Sequence, residues 1–159
     1  MADPSPPPRP PTAAQDLAMA HRFVVSAGSR DLGAWSKVSG LSVKWDLAEH
    51  WVGDSDQYFK YAGVPKFERL KLSRAAERAG TGAVKAWLEE VKSSGGTPEE
   101  GAIAMLTSSG ESVTSWTLRE MFPVAWQISE FDAGASKVAV ETLEIVYSGF
   151  LAPGSNLTR

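Results

Sequence analysis

Apolar and polar residues alternate with a period of two along most of this chain, and one stretch switches to the helical period. From His21 to Val25, Phe23 and Val25 alternate with Arg22 and Val24, and Ala27-Gly28-Ser29-Arg30-Asp31 then marks a turn. The cleanest alternation sets Leu41, Val43, Trp45 and Leu47 against Ser42, Lys44 and Asp46. It predicts a strand with one dry and one wet face. Trp51 to Val64 holds Gly53, Asp54, Ser55, Asp56 and Gly63 and reads as a long loop, of the length that usually carries function in a compact domain. Leu70 and Leu72, alternating with Arg69, Lys71 and Ser73, mark a further strand.

The helical stretch places Ala83, Val84, Trp87, Leu88 and Val91 on one face and Lys85, Glu89, Glu90 and Lys92 on the other. Thr81 is the expected N-cap and Gly95-Gly96 the stop. An earlier helical turn is expected from Ser73 through Arg78, with Gly80 interrupting it. Strands then resume. Ala102–Thr107 and Ser112–Leu118 flank Ser108-Ser109-Gly110-Glu111, a hairpin signal, and Val124, Trp126 and Ile128 form a short alternation after Pro123. Val138–Tyr147 is the longest strand candidate, apolar on both faces. The order of elements predicts a mainly β fold, an antiparallel sandwich or barrel with one packed α-helix. Phe23, Trp35, Leu41, Leu72, Trp87 and Trp126 are its expected core anchors.

Most of the ten prolines lie between Pro4 and Pro11. Residues 1–20 therefore read as a flexible, polyproline-like arm, 21–152 as one domain and 153–159 as a short tail. No secretory signal or membrane anchor is legible at the N-terminus, and the Asn156-Leu157-Thr158 tripeptide has no secreted context to give it meaning. The 159 residues suffice for one self-supporting core. The lack of cysteine removes disulfides, thiolate metal sites and thiol nucleophiles. A net charge of -3 argues against charge-driven binding of nucleic acid or anionic membrane.

The search for catalytic groups is negative. His21 and His50 belong to no motif and read as surface or interface groups. Asp54-Ser55-Asp56 opens like a calcium loop, but Phe59 and Pro65 stand where glycine and glutamate are required. Gly80-Thr81-Gly82 completes no phosphate-binding motif and reads as a hinge. Glu141 and Glu144 point to opposite faces of one strand. Lys60-Tyr61 and Lys66-Phe67 are too sparse for a specific nucleic-acid surface. No cofactor or metal site is expected, and the chain reads as a non-enzyme.

Four segments in order carry a family resemblance. They are Phe23-Val24-Val25 with Leu32 through Leu41; Ala62-Gly63-Val64-Pro65-Lys66 with Leu70-Lys71-Leu72-Ser73-Arg74; Trp116-Thr117-Leu118 with Phe122 through Trp126; and Val138 through Ile145 with Gly149. Together they resemble the tail-tube (inner tube) proteins of contractile phage tails and phage-like extracellular contractile injection systems. The pattern departs from that family at Phe122, Ala75 and Tyr147, and in the loop after Trp51.

The resemblance implies a β-sandwich that assembles with itself into stacked, hexameric rings around a lumen carrying DNA or a protein effector. Its implied partners are sheath, baseplate and second tube proteins. Its implied location is the bacterial cytoplasm during assembly and then the finished particle. On this reading Ser42, Lys44 and Asp46 line the lumen, and Trp51, Asp54, Asp56, Tyr58 and Tyr61 form a ring-stacking loop. A tube-initiating ring at the baseplate is the alternative within the family. A monomeric β-sandwich that binds a ligand through the 51–61 stretch is the alternative outside it. If residues 1–20 are an independent arm, deleting them leaves the unfolding temperature of the isolated subunit unchanged; a large fall in a thermal melt would place the arm in the core.

Overall fold

The computed structural model describes residues 22–51, 53, 58–129, 134 and 137–150. The expected arm, residues 1–20, and the tail at 153–159 lie outside the described residues. Among the described residues, nine strands and one helix follow in chain order: β1 (Arg22–Ala27), β2 (Arg30–Trp35), β3 (Lys37–Ser39), β4 (Val43–Trp51), β5 (Tyr58–Phe67), β6 (Leu70–Ala75), α1 (Arg78–Ser94), β7 (Glu99–Leu106), β8 (Ser112–Ile128) and β9 (Val140–Val146). All strand pairings are antiparallel.

Seven strands lie in the order β2-β1-β7-β8-β9-β6-β3, while β4 and β5 form a separate two-stranded ribbon. The seven-stranded set bends into two layers because β8 serves both. Its first part pairs with β7 up to Met121, and its last part pairs with β9 from Phe122. Glu120, in the left-handed region at φ 51°, sits at the changeover. The short alternation expected after Pro123 is thus the last part of one bent strand. At the opposite corner the chain passes from β2 to β3 across Ser36, whose backbone N–H and hydroxyl both donate to Ser73 O, at 3.1 and 2.9 Å.

Between the layers lie Val25, Leu32, Trp35, Leu72, Trp87, Ile103, Leu118 and Leu143, all essentially inaccessible to solvent. Phe23, Leu41 and Trp126 pack against this core from half-buried positions, and Phe23 faces Trp35 directly across β1 and β2. The odd-numbered face of β9 is buried as its pattern requires, whereas Val138 and Val140 on the even face are exposed. Thr142 on the same face is buried and Glu144 and Val146 are half-buried, so that face is covered in part.

Helix α1 lays Gly80, Val84 and Trp87 on the core and stops at Gly95, which supplies the left-handed C-cap at φ 75°. Two expectations about its start are overturned. Ser73 to Ala75 belong to β6 rather than to a helical turn. Residues 80–82 lie inside the first turns of α1, with Glu77 as N-cap. Thr81 instead accepts a hydrogen bond from Glu77 N at 3.3 Å and donates to Glu141 Oε2 at 3.0 Å.

That last contact belongs to a buried charged cluster. Arg74 takes the third inward position of β6, after Leu70 and Leu72, and Glu141 stands opposite it on β9. Arg74 Nε donates to Glu141 Oε2 at 2.7 Å, and Arg74 Nη1 donates to Leu32 O at 2.7 Å. The guanidinium stacks 3.9 Å from the centre of the Trp35 ring. Trp126 Nε1 donates to Glu141 Oε1 at 2.9 Å. A Cβ at Gly80 would run into the guanidinium, so the helix approaches this closely because residue 80 is glycine.

Both charges are out of water, 4% and 0% exposed, so removing one leaves the other uncompensated. Glu141→Gln is expected to lower unfolding stability by about 3 kcal/mol in urea. The paired replacement Arg74→Met with Glu141→Leu should cost less than either single change, because it removes the desolvation penalty along with the attraction. A single-variant loss below about 1 kcal/mol would refute this account.

Candidate functional site

The β4–β5 ribbon is the part of the molecule that its own core does not explain. Strand register fixes its faces, since directly opposed residues share one. Val43 faces Phe67, Trp45 faces Pro65 and Leu47 faces Ala62. With Trp51 these form a largely apolar face, on which Glu49 and Lys60 also pair at 3.6 Å. The other face carries Lys44, Asp46 and His50 from β4 with Lys66, Tyr61 and Phe59 from β5.

Sequence alternation predicts a dry face on β4, but the single chain does not cover it. Leu47 is 61% exposed and Trp51 66%, and Trp45 is close to half exposed. On β5, Phe59, Tyr61 and Val64 are exposed as well. The reason lies in topology. Among the described residues the ribbon shares no strand pairing with either layer of the body, so its base is where it meets the core. An isolated two-stranded ribbon is marginal in water, and among the described residues no third strand pairs on either of its outer edges. Full burial of a leucine or aromatic side chain gains roughly 1.5–3 kcal/mol. This surface therefore gains stability only by being covered.

The charged face is internally balanced. Lys44 and Lys66 oppose each other directly, an arrangement that is unfavourable unless neutralised. Lys66 pairs with Asp46 at 2.5 Å, and Lys44 pairs with Glu68. The Lys44 ammonium holds the Glu68 carboxyl below the usual carboxylate range.

The expected lumen and stacking residues are distributed as follows. Lys44 and Asp46 share the charged face, but Ser42 does not join them. It precedes β4, its backbone N–H is shared between Gly40 O at 2.9 Å and Tyr147 Oη at 3.3 Å, and its hydroxyl is buried without a hydrogen-bond partner. Trp51 closes β4, and Tyr58 and Tyr61 belong to β5, so most of the expected 51–64 loop is strand. Asp54, Asp56 and the side chain of Tyr58 lie outside the described residues. Gly63 and Pro65 suggested a loop, yet an edge strand tolerates proline. The irregular register between Trp45 and Leu47 accommodates the extra residue on β5.

Sequence reasoning also missed the Arg74–Glu141 cluster and the Tyr147 contacts, whose partners lie 67 and more than 100 positions apart. Among the described residues, no group of acidic or histidine side chains could hold a metal ion, and no helix is long and apolar enough to cross a membrane.

Comparison with known proteins points one way. The family model of the T4-like virus tail tube protein gp19 matches residues 19–151. A chain of the six-fold symmetrised anti-feeding prophage baseplate is similar at 27% identity and a TM-score of 0.65, over 84% of this chain and 93% of that one. A chain of the sheath–tube complex of PVC, an extracellular contractile injection system, in its extended state has a TM-score of 0.70 at 20% identity, over 90% and 97%. A chain of the PVC sheath/tube terminator has a TM-score of 0.67 at 22% identity, over 82% and 92%. Among curated proteins, none matches the sequence.

Proposed function

The chain belongs to the T4-like virus tail tube protein gp19 family, and on that premise we propose that it is the structural subunit of an inner tube whose copies close into stacked rings. The observation that carries this reading is the uncovered ribbon: a strand pair with exposed Leu47, Trp51 and Val64 and two open edges. A second copy supplies both missing things, apolar cover for the face and backbone partners for the edges, and ring closure uses every edge. The six-fold symmetry of the anti-feeding prophage baseplate, which contains a 27% identical chain, supports six copies per ring.

In such a ring the apolar ribbon face is turned to the neighbouring subunit, and Lys44 and Asp46 are turned to the lumen. Their pairing with Glu68 and Lys66 suits a conduit that does not hold what passes through it. Contact with the next ring is assigned to Trp51, Tyr58 and Tyr61 of the ribbon and, from the sequence alone, to the acidic residues Asp54 and Asp56 between its strands. Sheath, baseplate and further tube proteins are its partners in the particle, which is put together in the bacterial cytoplasm, and a protein effector or DNA is the cargo. The subunit works by assembly and needs no catalytic group.

Leu47→Asp tests this reading. Leu47 is exposed in the single chain, so the isolated subunit should lose less than about 0.5 kcal/mol of unfolding stability. In the assembled ring the same carboxylate would be desolvated, and tubes should be absent from negative-stain micrographs. Normal tubes from this variant would exclude the ribbon from the subunit interface.

A tube-initiating ring is the second reading. It is favoured by the higher identity to a chain from a baseplate, 27%, than to one from a sheath–tube complex, 20%. Antibody labelling of intact particles distinguishes the two. A main-tube subunit labels broken tubes along their length, and an initiator labels only the baseplate end.

A further inference from the structure

The ribbon leaves the body at a definite place, and one side chain holds both of its strands there. Tyr147 follows β9 and is buried. Its backbone is fixed on the body side, where Ser148 N donates to Arg119 O and Arg119 N donates to Gly149 O, both at 2.9 Å. From this footing the phenol reaches the segment that launches β4. Tyr147 Oη donates to Gly40 O at 2.9 Å and accepts at 3.3 Å from Ser42 N, whose N–H is shared with Gly40 O at 2.9 Å. Its ring packs against Phe67, the last residue of β5, with centroids 5.6 Å apart, and against Phe150 at 6.0 Å. Entry to the ribbon and exit from it are thus tied to the same residue. Burial, with the Glu68 charge adding to it, pushes the phenol above its ordinary range and keeps the proton that Gly40 O receives.

The arrangement has mechanical consequences. Within the ribbon the two strands are bonded to each other along their length. Against the body the ribbon has only slight contact, so a small rotation at the base becomes a large displacement at its far end. A ring closes only if every ribbon meets its neighbour at one angle.

We infer that Tyr147 is a positioning residue for assembly: its phenol, bridging Gly40 and Ser42 while its ring holds Phe67, sets the direction in which the β4–β5 ribbon leaves the body. This rests on the tube reading only for its consequence in assembly; the direction of the ribbon is a property of the single subunit.

The experiment separates the two. The chain has no cysteine, so His50→Cys on the ribbon and Glu89→Cys on α1 give two defined positions for spin labels, both exposed. In the full chain with Tyr147 intact, pulsed electron–electron distance measurements should give one narrow population. In Tyr147→Phe the aromatic packing stays and the hydroxyl is lost. The population of displaced ribbons should rise about 2- to 10-fold, as expected for a lost buried hydrogen bond. Tube yield should fall measurably below that of the unaltered chain, with the unfolding temperature lower by no more than about 5 °C.

An unchanged distance distribution would overturn the inference. So would a fall in unfolding temperature beyond about 10 °C, which would make the phenol a core-stability group. Displaced ribbons with normal tube yield would overturn the link to assembly. If the unaltered chain formed no tubes, the tube reading would fail, and the distance distributions would still decide the role of Tyr147.

Discussion

Burying the Arg74 guanidinium is the act on which the rest of this structure depends. An arginine at an inward strand position would by itself forbid the core around it, since an unpaired buried charge costs several kcal/mol. The fold meets this demand from four directions. Glu141 faces it from β9, the Leu32 carbonyl accepts from β2, the Trp35 ring lies under it, and α1 closes over it at Gly80. Glu141 then recruits Trp126 from β8 and Thr81 from α1. One ion pair thereby fixes the helix against both layers. A hydrophobic replacement could be equally stable, but it would not specify which strands and which turn of helix must meet.

The body so defined is self-sufficient, and the contrast with the ribbon is instructive. Trp35, Trp87 and Leu72 are sealed within the chain, whereas Trp45, Leu47 and Trp51 have the same chemistry and remain about half or more exposed. Natural β proteins blunt exposed edges with charges, proline or irregular register. The ribbon carries traces of each, with Lys44 and Lys66, Pro65, and the irregularity near Trp45. These devices limit indiscriminate pairing without removing the apolar face. A surface that is protected in this way and still left apolar is adapted to one partner, and family membership makes another copy of the chain the natural one.

What the sequence disclosed, and what it hid, follows from the range of the forces involved. The strand at Leu70 and Leu72, the 102–118 hairpin and the helix through Val84 and Trp87 were legible because periodicity is a local signal. The stop at Gly95 was legible for the same reason. Thr81 was misread as a cap because its partner, Glu141, is 60 positions away. Gly80 looked like a breaker because its value lies in a close approach to Arg74, not in local conformation. Gly63 and Pro65 concealed β5, since both are tolerated at an edge that no local pattern reveals. The apolar face of β4 was legible as apolar, but alternation does not say whether the cover comes from the same chain. The expected stacking group is likewise only partly placed, because Asp54 and Asp56 fall outside the described residues.

The charged face of the ribbon bears on how the proposed tube subunit would avoid indiscriminate association before it assembles. Its net charge of -3 is small, and the two lysines that oppose each other are already engaged by Glu68 and Asp46. Long-range repulsion between copies is therefore weak, and screening at physiological salt weakens it further. Solubility cannot rest on charge. In the ring proposed above it rests on geometry, because there Trp45 and Leu47 gain cover when a neighbour arrives at the angle that closure requires. Fixing that angle at the base of the ribbon, while leaving its face open, separates the capacity to assemble from the tendency to aggregate.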